Sequence, residues 1–584
     1  MDASSASQIM IQNGHKEAKR KQHESSSKGG WNSAMFIIAV EVAERFAFYG
    51  LSANLINYFT DKLGQSISTA AKNVNTWVGV SALFPLLGAF VADAYLGRFK
   101  TILLSSIIYF LGIVLLTLSV SVIPLHYRKA VFFTAIYVLA IGEGGHKPCV
   151  QTFAADQFDE DTPEQKKTKS SFFNWWYLGI VIGASVATTA VIYIQDNVGW
   201  GTAFGVLAGI LGVALVVFLL GIRTYRKESP VGSPLTTVAQ VLVASAKKWR
   251  VSETRNHGIC SEDDEIDGVY LEDQPKPRKL ARTKQFRFLD KAAIIDNIDV
   301  SSKKRNPWRL CTLNQVEEVK LVLRLIPIWL ACLMFATIQA QLHTFFTKQG
   351  GTLKRSIGHH FLVPPASLMS LVGVTILIFV PIYDGIVVPM ARKITGHTSG
   401  ITMLQRIGIG LFLTIVEMVV AALIESKRVK IARDHGLLDS PKAVIPMSIW
   451  WLLPQYILTG IVDVFTYVGL QELSYDQMPD TMRSLGAAAQ MLVVGIGSFV
   501  STAVIDIVQA IGSRAGGSML GDNLNRAHLD YFYWVLAGLS AVNLCVYVLI
   551  ARGFVYKKVE EGGLEFGLKM QRDLSLHGYS EAEK

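Results

Sequence analysis

Charge is what this chain has least of. Asp, Glu, Lys and Arg make up 17% of its 584 residues, while 51% are hydrophobic; soluble domains carry about 25% charge. A single aqueous core stops growing near roughly 250–300 residues, so folding in water would not hide this much apolar surface. A lipid bilayer takes the surplus. Cysteine is sparse too. Cys149, Cys260, Cys311, Cys332 and Cys545 show none of the short spacings that zinc needs, and they suggest no disulfide framework. The sequence lacks a Gly-x4-Gly-Lys-Ser/Thr loop, which argues against a self-contained ATP-driven pump. It also lacks a nucleophile–base pattern in a plausible setting, so no enzyme is expected. His343, His359 and His360 form no metal pattern on a helix, and neither a metal nor an organic cofactor is expected. The N-terminal stretch is polar and basic (Lys16, Lys19, Arg20, Lys21, Lys28). It has no apolar core followed by small residues, so no cleaved signal peptide is expected. The net charge of +10 fits loops facing an anionic leaflet better than a nucleic-acid surface.

What is present is a series of long apolar runs. A spanning helix needs about 20 such residues. The runs predict helices over 33–60, 74–96, 101–124, 130–152, 171–195 and 200–222, then over 317–347, 364–391, 401–425, 446–474, 484–512 and 529–553. The expected fold class is therefore an all-α membrane protein with twelve transmembrane helices in two six-helix bundles. The expected layout is a disordered cytosolic tail (1–30), an N-terminal bundle (31–222), a cytosolic linker (223–316), a C-terminal bundle (317–553) and a cytosolic tail (554–584). The linker is polar. Pro230 to Pro234 opens it, an amphipathic helix follows over Leu235 to Trp249, and Arg255 to Arg282 has the composition of a disordered segment. With alternating helices, Arg98, Lys100, Lys166, Lys167, Lys169, Arg392, Lys393 and both tails fall on one side, which reads as the cytosol. Lys427, Arg428, Lys430 and Arg433 fall on the other and are outvoted. The address is the plasma membrane or the vacuolar membrane.

Charges inside a bilayer are expensive, about 2.5 kcal/mol or more at a helix centre, so they face a cavity or a partner. Helix one carries Glu41, Glu44 and Arg45 at i, i+3 and i+4, on one face, with Tyr49 one turn further on. Two carboxylates share one guanidinium, so one of them is only partly neutralised. Such a group can load a proton on one side and release it on the other. A static ion network is the plainer alternative. Lys147 in helix four precedes Pro148, which is expected to break the helix. Lys147 and Glu472 of helix ten belong to different halves, and a pair between them would be a latch. A snorkelling Lys147 is the alternative. Glu143 and Asp463 are further intramembrane acids. Asp93 and Arg98 sit in a tight cytosolic loop that could hold one conformation shut, and Asp476 and Arg483 flank a similar loop. Thr101 follows Arg98-Phe99-Lys100, a possible kinase site. Glycine pairs such as Gly408/Gly410 and Gly495/Gly497 suit helix packing.

These residues carry a resemblance. Glu41-Val42-Ala43-Glu44-Arg45-Phe46-Ala47-Phe48-Tyr49-Gly50 resembles the E-x-x-E-R motif of the plant nitrate and peptide transporter family, a branch of the proton-dependent oligopeptide transporters in the major facilitator superfamily. Gly144-Gly145-His146-Lys147-Pro148-Cys149 with Asp156-Gln157-Phe158-Asp159 is similar to its helix-four signature, and Ser171 to Tyr177 to its helix-five signature. Phe288 to Ala293, Leu404 to Gly410 and Gln471 to Pro479 add further matches. The likeness spans about 30 to 555 and looks closest to the fifth plant subfamily.

The resemblance implies the major facilitator fold and alternating access. It also implies proton symport, with Glu41, Glu44 and Arg45 coupling and Tyr49, Lys147, Gln339 and Glu472 at the substrate or gate. Protons are then the coupling ion. The cargo class is a small polar or anionic solute, nitrate or a di- or tripeptide first, with plant hormones or glucosylated specialised metabolites as the alternative. Where nitrate carriers of the family place a helix-seven histidine, this chain has Gln339, which cannot become cationic. His343 lies one turn on. A transporter-like sensor with little flux is the second class, and the expected partners are the solute, protons, lipid and a kinase acting at Thr101.

Overall fold

The computed structural model describes residues 29–557 except 159–162, 228–231, 252–259, 261–279, 297, 300–305, 359–360, 396–399, 480–481 and 515–519. The basic tail through Lys28, His359, His360, most of the linker's middle and the tail beyond residue 557 lie outside them. The backbone forms two compact units. The larger holds Met1–Gly232, Trp329–Leu473 and Ala487–Ala551; the smaller holds Ser233–Ile328, Ser474–Gly486 and Arg552–Lys584.

Twelve membrane-length helices are present among the described residues. The first six are α1 (Gly30–Ser52), α2 (Ile67–Leu96), α3 (Arg98–Ser121), α4 (Leu125–Ala155), α5 (Pro163–Val186, continuing through a π turn to Asn197) and α6 (Trp200–Leu220). The second six are α7 (Leu313–Ala331 and Leu333–Gln339), α8 (Pro365–Ile394), α9 (Met403–Asp434), α10 (Ile449–Gln477), α11 (Arg483–Arg514) and α12 (Leu529–Arg552). All except α1 and α4 are apolar enough to cross a membrane on composition alone, counting α7 as one bent span. Those two carry Glu41, Glu44 and Arg45, and Glu143 and Lys147.

Three expectations need correction. α7 is not one straight helix: it breaks at Cys332 with a 45° bend, and the chain turns again after Gln339. Pro148 does not end α4, which runs on to Ala155. The proline removes only its own N–H, and the Gly144 carbonyl that this frees lies where a Gly88 side chain would otherwise be. α9 runs past residue 425 to Asp434, because Arg428 is fully buried and bonded to Glu425, Asn525 and the Leu524 carbonyl at 2.6–2.9 Å. Lys427, Arg428, Lys430 and Arg433 therefore lie on the last turns of α9 and not in a loop, and Arg428 is turned into the protein.

Close packing in the N-terminal bundle depends on glycine. A Cβ at Gly88 would sit 2.2 Å from the Gly144 carbonyl oxygen, and one at Gly145 would sit 2.0 Å from Ser105 Oγ. Bare backbone there lets α2 and α3 press onto α4. Aromatic rings fill the rest, with Tyr58 stacked 4.3 Å from Phe132. In the C-terminal bundle Phe345, Phe346, Tyr456, Phe532 and Tyr533 do the same. The bundles are tied together at the end remote from Gly30. There Lys72 meets Asp506 at 2.7 Å, Asn75 donates to Ser501 at 3.0 Å, and Lys348 reaches Asn57 and Thr60 at 3.0 and 2.9 Å.

In the smaller unit an amphipathic helix spans Pro234–Lys247. Lys248, fully buried, donates to the Ile294 carbonyl and pairs with Asp299, which also holds Arg309. The stretch expected to be disordered is partly held: Leu280 donates its N–H to Asn314, and Arg282 pairs with Asp290.

Candidate functional site

α1 puts Glu41, Glu44 and Arg45 on one face, and all three are turned inward. Arg45 Nε lies 3.1 Å from Glu41 Oε1 and 2.6 Å from Glu44 Oε2, and Glu44 is 1% exposed. One guanidinium therefore holds both carboxylates. A buried pair survives only when geometry and further contacts repay desolvation. Those contacts come from α4 and α3. Lys147 pairs with Glu143 one turn before it and lies 4.0 Å from the centre of the Phe48 ring. Phe48 in turn stacks on Trp77 and stands 5.9 Å from Arg45. Tyr109 of α3 is buried within electrostatic reach of Glu41, Glu44 and Arg45. The N-terminal bundle thus gathers three acids around two cations.

Sequence reasoning passed over His146. It is 2% exposed, and a ring nitrogen lies with oxygens of Glu41 and Glu44 inside a 4.8 Å cluster. The signal was available in its place beside Lys147. Three such groups could in principle hold a metal ion, but Arg45 already occupies the charged side of both carboxylates. The set suits proton exchange better.

Tyr49, one turn beyond Arg45, lies within reach of Arg45 and of Asp463 on α10. Asp463 opens a π turn, Asp463–Tyr467, and its carboxylate accepts from the side-chain amide of Gln339 on α7. Lys147 and Glu472 are not paired here. Each has a nearer partner in its own bundle: Glu143 for Lys147, and Arg406 for Glu472 at 2.8 Å. Arg406 also donates to the Val464 carbonyl and lies over the Tyr383 ring. Glu472 is half exposed, with a side-chain exposure of 51%.

The loop residues split. Arg98 pairs with Asp156 at the end of α4 and stands 3.9 Å from Asp93, so this loop is fastened within the N-terminal bundle. Gln157, two residues from the end of α4, accepts from the Arg226 N–H at 2.9 Å, and its carbonyl accepts from Gly30 at 2.7 Å. Asp476 accepts from Gln477, and the Arg483 side chain lies outside the described residues. Thr101 does not suit a kinase. It is 4% exposed, and its hydroxyl donates to the Gly97 carbonyl at 3.0 Å inside α3. His343 sits in the turn beyond the α7 break, with a buried Nδ1 that has no hydrogen-bond partner.

Two six-helix bundles, the first enclosing a buried charge cluster, have the architecture of a multi-pass membrane transporter of the major facilitator type. Comparison with known proteins narrows the class. A family model described as the POT family matches residues 99–519. The chain is 61% identical to the protein NRT1/PTR FAMILY 5.4 of Arabidopsis thaliana, over 92% of this chain and 96% of that protein. It is 48% identical to NRT1/PTR FAMILY 5.10 of the same plant, over 92% and 95%. An auto-inhibited POT family peptide transporter of known crystal structure shares the fold, with a TM-score of 0.66 at 18% identity, over 91% of this chain and 98% of that one. The chain belongs to the POT family, in subfamily 5 of its NRT1/PTR branch.

Proposed function

We propose that the protein is a proton-coupled symporter of a small polar solute, nitrate or a di- or tripeptide. The observation that supports this most is the shared guanidinium: Arg45 ion-pairs with both Glu41 and Glu44 inside the bundle. A proton on either acid removes one of the two anions that hold Arg45. The guanidinium then has capacity for an anion or a peptide carboxylate arriving beside Tyr49 and Lys147. Proton and solute thereby favour the same state, and only such a difference in affinity moves the equilibrium.

In this reading the linker and both tails face the cytosol. The ties at the end remote from Gly30 close the opposite face, and the space beside Glu472 opens inward. A latch between Lys147 and Glu472 would belong to the opposite state. The Gln339 amide is already engaged by Asp463, so an anion arriving there would meet a carboxylate oxygen. That favours a peptide over nitrate. Hormones and glucosylated metabolites are the alternative cargo. The sensor reading loses its support from Thr101, whose hydroxyl is inside α3.

A panel of nitrate, dipeptides and hormone acids in voltage-clamped oocytes at acid and neutral pH tests the proposal. Inward current that needs both external acid and one of these solutes is the expected result. Solute uptake that ignores external pH and membrane potential would overturn it.

A further inference from the structure

The C-terminal bundle holds an acid that the mechanism above does not use. Glu417, midway along α9, is 1% exposed. Its Oε1 lies 2.7 Å from the Thr459 hydroxyl oxygen on α10, and its Oε2 is buried with no hydrogen-bond partner. The same hydroxyl oxygen is 2.8 Å from the Gln455 carbonyl oxygen. A carbonyl only accepts, and a hydroxyl has one hydrogen to give. Thr459 alone would have to split one hydrogen between the two acceptors; a protonated Glu417, donating from its own O–H to Thr459, makes both contacts full hydrogen bonds.

The surroundings agree. Among the described residues no ion pair reaches Glu417. On its own helix Arg406 is engaged with Glu472, and Glu425 with Arg428. From α10 the facing titratable group is Asp463, one turn beyond Thr459. From α7, which also packs on α9, the stretch Leu333–Gln339 brings no charged side chain. An isolated carboxylate with only a neutral donor is unstable away from water. On the side remote from Gly30, Gln455 is fully buried with its Oε1 unpartnered. Its amide nitrogen bonds to Gln349 at 3.2 Å, and Gln349 bonds to Glu425 at 2.7 Å. A buried acceptor left open one turn from Thr459 is where a proton-carrying water would bind.

We propose that Glu417 is a second proton-carrying site, in the C-terminal bundle, and that it hands its proton to Asp463 during the transport cycle. Asp463 first releases its own proton to water; the Glu417 O–H bond then breaks and its proton moves to the Asp463 carboxylate so formed. Glu417 is then reloaded along the Gln455 side. This rests on the proton-coupled reading and adds one proton per solute to the number carried by the Glu41–Glu44–Arg45 cluster.

The test uses the full-length chain in proteoliposomes, with alanyl-alanine as the probe and nitrate where the dipeptide is not taken up. The proton-to-solute ratio comes from reversal potentials measured at several pH gradients. Glu417→Gln keeps a donor toward Thr459 and is expected to stay gradient-driven with a ratio lower by one. Infrared difference spectra should show a protonated-carboxyl band in the wild type that this variant lacks. A wild type that ignores the pH gradient would sink the proton-coupled reading and this site with it. A coupled wild type with the same ratio in the variant would sink this site alone, making Glu417 a static acid. Should Glu417→Gln fail to fold, the wild-type spectrum decides: absence of the band overturns the proposal, and a band that responds to a pH jump supports it.

Discussion

The two bundles handle buried charge in opposite ways. In the N-terminal bundle Glu41, Glu44 and Glu143 share Arg45 and Lys147, so every acid touches a cation and one charge is in excess. In the C-terminal bundle buried Glu425 is matched one to one with Arg428, and half-exposed Glu472 with Arg406. Glu417 and Asp463, by contrast, meet the neutral donors Thr459 and Gln339. Shared cations suit the proton-coupled site proposed above. One-to-one pairs make a scaffold. Acids held by neutral donors suit the proton-carrying role proposed for Glu417.

Breaking the scaffold should have the largest effect. Arg428→Ala leaves Glu425 buried without its cation, at a cost of about 3–5 kcal/mol. The expected outcome is poor yield and a much lower unfolding midpoint by fluorescence scanning. Arg45→Gln should instead lose transport while keeping most of the fold, since Glu41 and Glu44 can take up protons. Equal stability losses in the two variants would erase the contrast between the bundles.

Next comes the packing that brings α4 to the cluster. Gly145→Val drives a side chain into Ser105 and Thr101, and overpacking of this kind costs about 1–3 kcal/mol. Uptake should fall along with the unfolding midpoint. A smaller effect belongs to Thr101→Ala, which loses one buried hydrogen bond, about 1 kcal/mol. A basic-directed kinase should label detergent-folded protein at Thr101 far more slowly than denatured protein. Equal labelling would restore Thr101 as a regulatory site.

This contrast also decided what the sequence made legible. Glu41, Glu44 and Arg45 lie within five consecutive residues, so helical spacing alone places them together. The apolar runs are long because lipid demands it, and they set the number of helices. The C-terminal acids and their partners are spread over α7, α9 and α10, between residues 339 and 472, and only the folded chain joins them. Glu417 is a single acid in an apolar run, and only the folded chain places Thr459 beside it. Lys147 and Glu472 invited a pairing because their charges are opposite, yet each had a cation or anion nearer in its own bundle. Pro148 and Cys332 show the limits of local rules. A proline was absorbed where glycine neighbours left room for the freed carbonyl, while α7 bent at a residue with no breaking tendency.

The most direct measurement compares two assays of Glu44→Gln in proteoliposomes: uptake driven by an acid-outside gradient, and counterflow exchange with solute on both sides. The account predicts that gradient-driven uptake is lost while exchange persists, because Arg45 is permanently relieved of one carboxylate and still binds solute. Gradient-driven uptake at the wild-type rate in correctly inserted Glu44→Gln protein would contradict it.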